Sequence, residues 1–249
     1  MRKFWFSLIL VAATLTAVGC RTDKASQHSS SIDDQTANQS ANQPPDPQDA
    51  SSAQNPTPPP PPDPNDHRPL IVCFGDSLTA GFGTEPGQSY PDYLQATLDA
   101  RGYHYRVVNQ GISGNTTKDG VERLNSILAL KPALVVVEFG GNDGLRGLRI
   151  EDSRANLDHI VATLKASGTK VVLAGITLPP DYGPDYIQQF TATYAILASK
   201  YHVPLLPFLL QNVFGVDGMM QRDRTHATAA GNQIVAANVL HLIQPLLKK

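Results

Sequence analysis

The stretch Leu70-Ile71-Val72-Cys73-Phe74-Gly75-Asp76-Ser77-Leu78 decides how this chain is read. Five consecutive apolar side chains, Leu70 to Phe74, suit a strand buried on both faces, the usual condition of strands in a parallel sheet. Gly75 then breaks the strand, and a hydroxyl follows two residues later. A serine just past the carboxyl end of a buried strand is where an α/β sheet presents a nucleophile. Taken alone, Ser77 reads equally well as the cap of a following helix or turn.

Outward from that stretch, strand and helix patterns alternate. Pro69–Phe74 is the first expected strand. Tyr90, Tyr93, Leu94 and Leu98 fall at helical spacing over Tyr90–Ala100, and Gly102 stops that helix. Tyr105–Asn109 reads as a strand, Val121, Leu124, Ile127 and Leu128 as a helix ending near Pro132, and Ala133–Phe139 as a continuous apolar strand. Leu157, Ile160, Val161 and Leu164 mark a helix closed at Gly168. Lys170–Ile176 is the fourth strand, Ile187–Lys200 a helix and Val203–Leu206 a short strand. The last helix is expected from Thr228 to about Gln244, with Pro245 at its end. This alternation predicts an α/β fold of three layers, α/β/α, around a central parallel sheet with right-handed crossovers.

Not all of the 249 residues belong to that domain. Met1-Arg2-Lys3 is basic, Phe4 to Gly19 is apolar, and Cys20 follows Ala17-Val18-Gly19. Residues 1–20 read as a signal peptide. The apolar part is shorter than the roughly 20 residues of a membrane span. Small residues before Cys20 point to lipidation of that cysteine, which then becomes the mature N-terminus. Ala17 stands where leucine is more usual, and an ordinary cleaved signal or an uncleaved anchor are the alternatives. Residues 21–67 are rich in Ser, Gln, Asn, Asp and Pro and end in the block Pro58–Pro62. They hold too few apolar side chains to offset the entropy of ordering, so a disordered tether is expected. Residues 68–249 make one domain. The expected location is exported and lipid-anchored to the cell envelope, with the domain soluble. In a double-membraned cell that means the periplasm or outer membrane, since Arg21 stands where inner-membrane retention would use Asp.

Charge and composition exclude several functions. The net charge is −2 and the domain has no basic run, so nucleic acid is not an expected partner. Of the two cysteines, lipid on Cys20 leaves Cys73 without a partner, as a buried inert thiol on the first strand. There is no His-x-x-x-His and no cysteine cluster, so no metal is expected. Gly140-Gly141-Asn142-Asp143-Gly144 lacks the lysine of a phosphate-cradling loop, and no cofactor is expected. A monomer is the default.

Three motifs complete the chemistry that Ser77 begins: Gly111-Ile112-Ser113-Gly114-Asn115, Gly140-Gly141-Asn142-Asp143 and Asp223-Arg224-Thr225-His226. They fall after expected strands two and three and before the last helix, where ligands bind in such sheets. A serine hydroxyl needs an adjacent base. Of seven histidines, His226 has a carboxylate, Asp223, three residues before it in a loop. That contact holds the tautomer and favours the imidazolium formed during proton transfer. Gly114 and Asn142, with the N–H of Ser77, are candidate oxyanion donors. The plainer readings are a helix cap at Asp223 or Thr225, a turn at Gly111 and Gly114, and an Asn142 side chain bonded to its own backbone. The surroundings of Ser77 are not Gly-x-Ser-x-Gly, so this is not the usual α/β-hydrolase elbow.

These four blocks, in this order, resemble the GDSL, or SGNH, hydrolase family. The resemblance runs from about Leu70 to the last helix. Glu138-Phe139-Gly140-Gly141-Asn142-Asp143-Gly144-Leu145-Arg146-Gly147, Leu178-Pro179-Pro180-Asp181-Tyr182-Gly183 and Pro204-Leu205-Leu206-Pro207-Phe208 resemble its branch of thioesterase I/protease I/lysophospholipase and bacterial arylesterases. The resemblance implies a flavodoxin-like fold, no metal, and hydrolysis of carboxylic esters or acyl thioesters of small molecules or lipids. It also implies a mobile loop of Gly144, Leu145, Arg146, Gly147 and Leu148 over the acyl site. Ala227 departs from the family's proline after the histidine, a change expected to loosen the start of the last helix. The tether departs too, and favours envelope lipids or external esters over a cytoplasmic acyl-CoA. Two alternatives stay open: a polysaccharide O-deacetylase of the same family, and a non-catalytic envelope lipoprotein that binds lipid or protein.

Overall fold

The computed structural model describes residues 66–249. The expected signal peptide, Cys20 and the tether up to residue 65 lie outside the described residues. One sheet is built from β1 (Leu70–Gly75), β2 (Arg106–Gly111), β3 (Leu134–Glu138), β4 (Lys170–Ala174) and β5 (Leu205–Leu206). Its strands are all parallel and run in the order β2-β1-β3-β4-β5. The α/β expectation is borne out.

The helices are α1 (Ser77–Ala80), α2 (Tyr90–Ala100), α3 (Thr117–Ala129), α4 (Gly141–Leu145), α5 (Ile150–Ala166), α6 (Pro184–Tyr201) and α7 (Ala229–Ile243). α2 packs on α7, while α3 packs on α5 and α5 on α6. The chain runs from β1 outward to β2, then back across β1 to β3. Strand order therefore reverses between β1 and β3, and the crevice at their carboxyl ends is where ligands bind in open α/β sheets. The apolar run that opened the sequence reading supplies the centre: Ile71, Val72, Cys73 and Phe74 have no exposed surface. β2 is an edge strand and is half-buried along its length. Burial pushes the Cys73 thiol up to about 12, so it carries no thiolate at neutral pH.

Boundaries differ from expectation where local contacts intervene. β2 starts at Arg106 and runs on to Gly111, because pairing with β1 continues to the rung Gly75–Gly111. β4 ends at Ala174 rather than Ile176, as its pairing with β5 covers only Leu173 and Ala174. α6 starts three residues early, at Pro184, whose missing N–H needs no partner in a first helical turn. α2 and α3 each begin with a capping box, Ser89 with Asp92 and Thr116 with Asp119. Thr228 caps α7 rather than joining it, accepting from Gly231 N–H at 3.2 Å. The short helices α1 and α4 were not expected, since four or five residues cannot show a helical period. Each starts directly beyond a strand and carries a motif.

Candidate active site

Ser77 is the first residue of α1. The preceding Asp76 caps the helix, its Oδ1 accepting from Leu78 N–H at 3.0 Å. α1 lies almost on the strand ends. A Cβ on Gly75 would stand 2.2 Å from Thr79 Oγ1 and 2.4 Å from Glu138 Oε2, so only glycine lets helix and strand approach this closely.

His226 closes the loop before α7. Its Nε2 lies 2.8 Å from Ser77 Oγ and its Nδ1 lies 2.6 Å from Asp223 Oδ2. Asp223 Oδ1 also accepts from the N–H groups of Thr225 at 2.9 Å and His226 at 3.1 Å. One carboxylate thus shapes the loop and orients the ring. Burial pushes the Asp223 carboxyl up, but the hydrogen bonds from His226 and the two backbone N–H groups outweigh it and hold it below the usual carboxylate range. The Phe82 ring packs on the imidazole at 4.5 Å between centroids.

Gln221 is a residue that the sequence reading missed. Its N–H donates to His226 O at 2.8 Å, and its Nε2 donates to Phe82 O at 2.7 Å and Ala227 O at 2.9 Å. It clasps the serine loop to the histidine loop, and no local pattern marks it. Ala227, expected to loosen this region, is buried and bridges to Met220, and Thr228 N–H donates to Met219 O at 2.9 Å. The loop is closed without the proline.

Asn142 stands in the first turn of α4. The turn into that helix is made by Gly140, whose φ of 119° suits glycine alone. Asn142 Nδ2 donates to Asp76 Oδ2 at 3.1 Å and to Asn115 O at 2.9 Å, tying the serine cap to the Gly111–Asn115 loop rather than to its own turn. Gly114 O accepts from Arg146 Nη2 at 2.9 Å. Asp143 points elsewhere. It is buried and accepts from Thr117 N–H at 2.9 Å, Thr117 Oγ1 at 2.6 Å and Ser153 Oγ at 2.9 Å, which anchors α4 to α3 and α5.

Ser77, Gly114, Asn142 and His226 all line one cavity of about 550 Å³, and Asp223 backs His226 from outside it. Ile176, Leu178, Phe208, Leu210 and Phe214 give the cavity an apolar wall. Of the five-residue loop expected over the acyl site, Leu145 and Arg146 line the cavity. Gly144, Gly147 and Leu148 do not: Gly144 is buried against Leu178, and Gly147 and Leu148 face solvent. Among the described residues, no three His, Cys, Asp or Glu side chains gather in a metal-holding group.

The GDSL-like lipase/acylhydrolase family matches residues 73–234, a span that includes Ser77, Gly114, Asn142, Asp223 and His226. The chain belongs to this family. It is similar to esterase TesA of Pseudomonas aeruginosa, with 44% identity over 178 residues, 71% of this chain and 89% of that protein. Thioesterase 1/protease 1/lysophospholipase L1 of Escherichia coli is 35% identical over 178 residues, 71% of this chain and 84% of that protein. The crystal structure of TesA matches with a TM-score of 0.69, covering 72% of this chain and 99% of that one. That of AlinE4, an SGNH-hydrolase family esterase, matches with a TM-score of 0.61 at 37% identity, covering 73% of this chain and 98% of that one.

As a GDSL-like acylhydrolase, the chain is an enzyme that hydrolyses ester bonds. Its site also holds a feature outside the four motif roles. Asp76 and Glu138 are almost wholly buried beside Ser77. Burial raises the Asp76 carboxyl to about 6 and pushes Glu138 well above the usual carboxylate range, with the Asp76 charge adding to the shift at Glu138. Among the described residues, no helix is long and apolar enough to cross a membrane.

Proposed function

We propose that this GDSL-like hydrolase is a serine esterase that cleaves acyl esters or thioesters through an acyl-enzyme, in the manner of an arylesterase, lysophospholipase or thioesterase. The observation that carries the proposal is the unbroken chain Asp223 Oδ2, His226 imidazole, Ser77 Oγ, which opens into an apolar-walled cavity. His226 Nε2 takes the Ser77 proton as Oγ bonds to the acyl carbon, and the carbonyl electron pair moves onto its oxygen. The N–H groups of Ser77 and Gly114 and the Asn142 amide stabilise that oxyanion. Collapse expels the alcohol or thiol, which leaves with the proton from His226. Water then repeats the sequence on the acyl-enzyme, releasing the acid and restoring Ser77. Asp223 holds the imidazole in the productive tautomer and stabilises its cation.

The wall of Ile176, Leu178, Phe208, Leu210 and Phe214 favours an acyl chain longer than acetyl, since each buried methylene contributes about 0.8 kcal/mol. Leu145 and Arg146 line the cavity, which supports substrate contact by these two loop residues. The names of the relatives, esterase TesA and thioesterase 1/protease 1/lysophospholipase L1, agree with this reading. One chain supplies every group that the mechanism uses, which supports a monomer as the working unit. The stretch before Cys20 and the polar run to residue 67 support export and a lipid anchor at the envelope, which favours lipid or external esters.

Hydrolysis of p-nitrophenyl esters from acetyl to palmitoyl, by the full chain and its Ser77→Ala variant, tests the proposal. Ser77-dependent turnover extending to medium or long chains is expected. Turnover confined to acetyl would favour the polysaccharide O-deacetylase. Absence of Ser77-dependent turnover from folded protein would leave a non-catalytic lipoprotein.

A further inference from the structure

Two carboxyl groups are buried where one charge is already costly. Asp76 is 2% exposed and Glu138, the last residue of β3, is 0% exposed. Glu138 Oε2 accepts from Asp76 N–H at 3.2 Å and from Thr79 Oγ1 at 2.7 Å. The Asp76 carboxyl accepts from Leu78 N–H and from the Asn142 amide. Glu138 Oε1 has no donor, and the Asp76 N–H bond to Oε2 of the same carboxyl holds the two acidic residues side by side in the core. Two neighbouring buried carboxylates repel, and a buried acceptor with no donor is itself unfavourable. A single proton placed on Glu138 removes both problems, because the carboxyl is then neutral and its O–H has the neighbouring Asp76 as an acceptor.

We propose that Glu138 is a positioning residue: it stays protonated and donates to Asp76, and the Asp76 carboxylate in turn aims the Asn142 amide at the forming oxyanion. One N–H of Asn142 rests on Asp76 and the other on Asn115 O. The first bond fixes the plane of the amide. The second is the one exchanged for the substrate oxygen as it gains charge. A carboxylate that accepts from the amide also polarises it toward donation. Gly75 has no side chain because Glu138 and Thr79 occupy that space, so the glycine of the first motif serves this pair.

The groups around the pair favour a single shared proton. His226 across Ser77 favours an ionised Asp76, and this outweighs the opposing charge of Asp143 on α4. Tyr194 of α6 and Tyr90 of α2 are fully buried and neutral, and Tyr90 Oη lies 3.3 Å from Thr79 Oγ1. Cys73 on β1 is a neutral thiol beside Tyr90. Arg123 of α3 spends its guanidinium on Gly75 O and Gln110 O, at 3.2 Å each. Burial of Glu138 and the neighbouring Asp76 charge both act to keep the proton on Glu138.

The catalytic half of this inference rests on the esterase reading, and the protonation half does not. Infrared difference spectra of the full chain at pH 8 are expected to show a carboxylic acid band that Glu138→Gln lacks. Glutamine still donates to Asp76 and accepts from Thr79, so Glu138→Gln should keep kcat within about threefold. Glu138→Ala should lose on the order of a hundredfold in kcat with KM little changed, the scale of a misaligned catalytic group. No acid band in the wild type, equal losses in the two variants, or full activity in Glu138→Ala would each overturn the inference. Should Glu138→Ala not fold, the band and the kcat of Glu138→Gln decide. A wild type without ester turnover would sink the esterase reading and the positioning role together, while the band would still decide where the proton lies.

Discussion

Ser77 Oγ and His226 Nε2 stand 2.8 Å apart although 149 residues separate them along the chain. The contact needs β1 to end at the sheet's switch point and α7 to return beside α2, so that the loop before α7 arrives over α1. Asp223 completes it within a single turn, three residues before the histidine.

Asp223 matters for tautomer and orientation. Asp223→Asn keeps the shape but offers an amide that can donate to Nδ1, which leaves Nε2 protonated and unable to accept from Ser77. A kcat loss on the order of a thousandfold is expected, with KM changed by less than about threefold. Steady-state kinetics on p-nitrophenyl butyrate check this, and a loss below tenfold would remove Asp223 from the mechanism.

Asp76 exchanges stability for function. Its folded pKa, about 6, lies above the ordinary Asp value near 3.9, so the folded state holds the proton more tightly than the unfolded chain. The resulting cost is absent below about pH 4, grows between about pH 4 and 6 and is complete above. Asp76→Asn removes that charge. Thermal melts should show a higher Tm than wild type at pH 8 and a gain that vanishes near pH 4, with kcat reduced at pH 8. A Tm difference independent of pH would show that the charge is not responsible.

Gly75 marks the tightest packing under the site. An added Cβ would meet Glu138 O, a backbone atom, at 2.6 Å as well as two side-chain oxygens. Backbone cannot swing aside, so Gly75→Ala should cost roughly 1 to 3 kcal/mol in urea unfolding and displace α1. Wild-type stability together with wild-type kcat would contradict this close packing.

The acyl wall has an exposed member. Phe214 is 47% exposed, lines the cavity and meets Phe208 edge-on at 6.0 Å between centroids. Phe214→Ala should lower kcat/KM for octanoyl esters about five- to tenfold and leave acetyl esters within about twofold, as expected for lost apolar contact with a chain. Equal effects on both substrates would place the acyl chain elsewhere.

Most of the sheet was legible in the sequence, since Leu70 to Phe74 and Ala133 to Val137 are uninterrupted apolar runs. α2 was legible to the residue because the helical spacing of Tyr90, Tyr93, Leu94 and Leu98 runs to a stop before Gly102, and the Ser89 cap found in the structure fixes the same start. α1 and α4 were not, being too short for any period to appear. The candidate residues Ser77, Gly114, Asn142 and His226 were visible as motifs, and the fold brings them to one cavity. Within residues 144–148 neighbours in sequence face different ways: Leu145 lines the cavity, Gly144 meets Leu178 and Leu148 faces outward.

The sequence by itself determined the alternation of strands and helices, the family and the candidate catalytic set, because periodicity and short motifs are local properties. Tertiary structure decided the clasp of Gln221 on Phe82 and the burial of Asp76 against Glu138. It also decided which residues of 144–148 face the cavity. Those contacts join positions far apart in the chain, and their energies come from burial and close approach, which exist only once the sheet has brought the strand ends together.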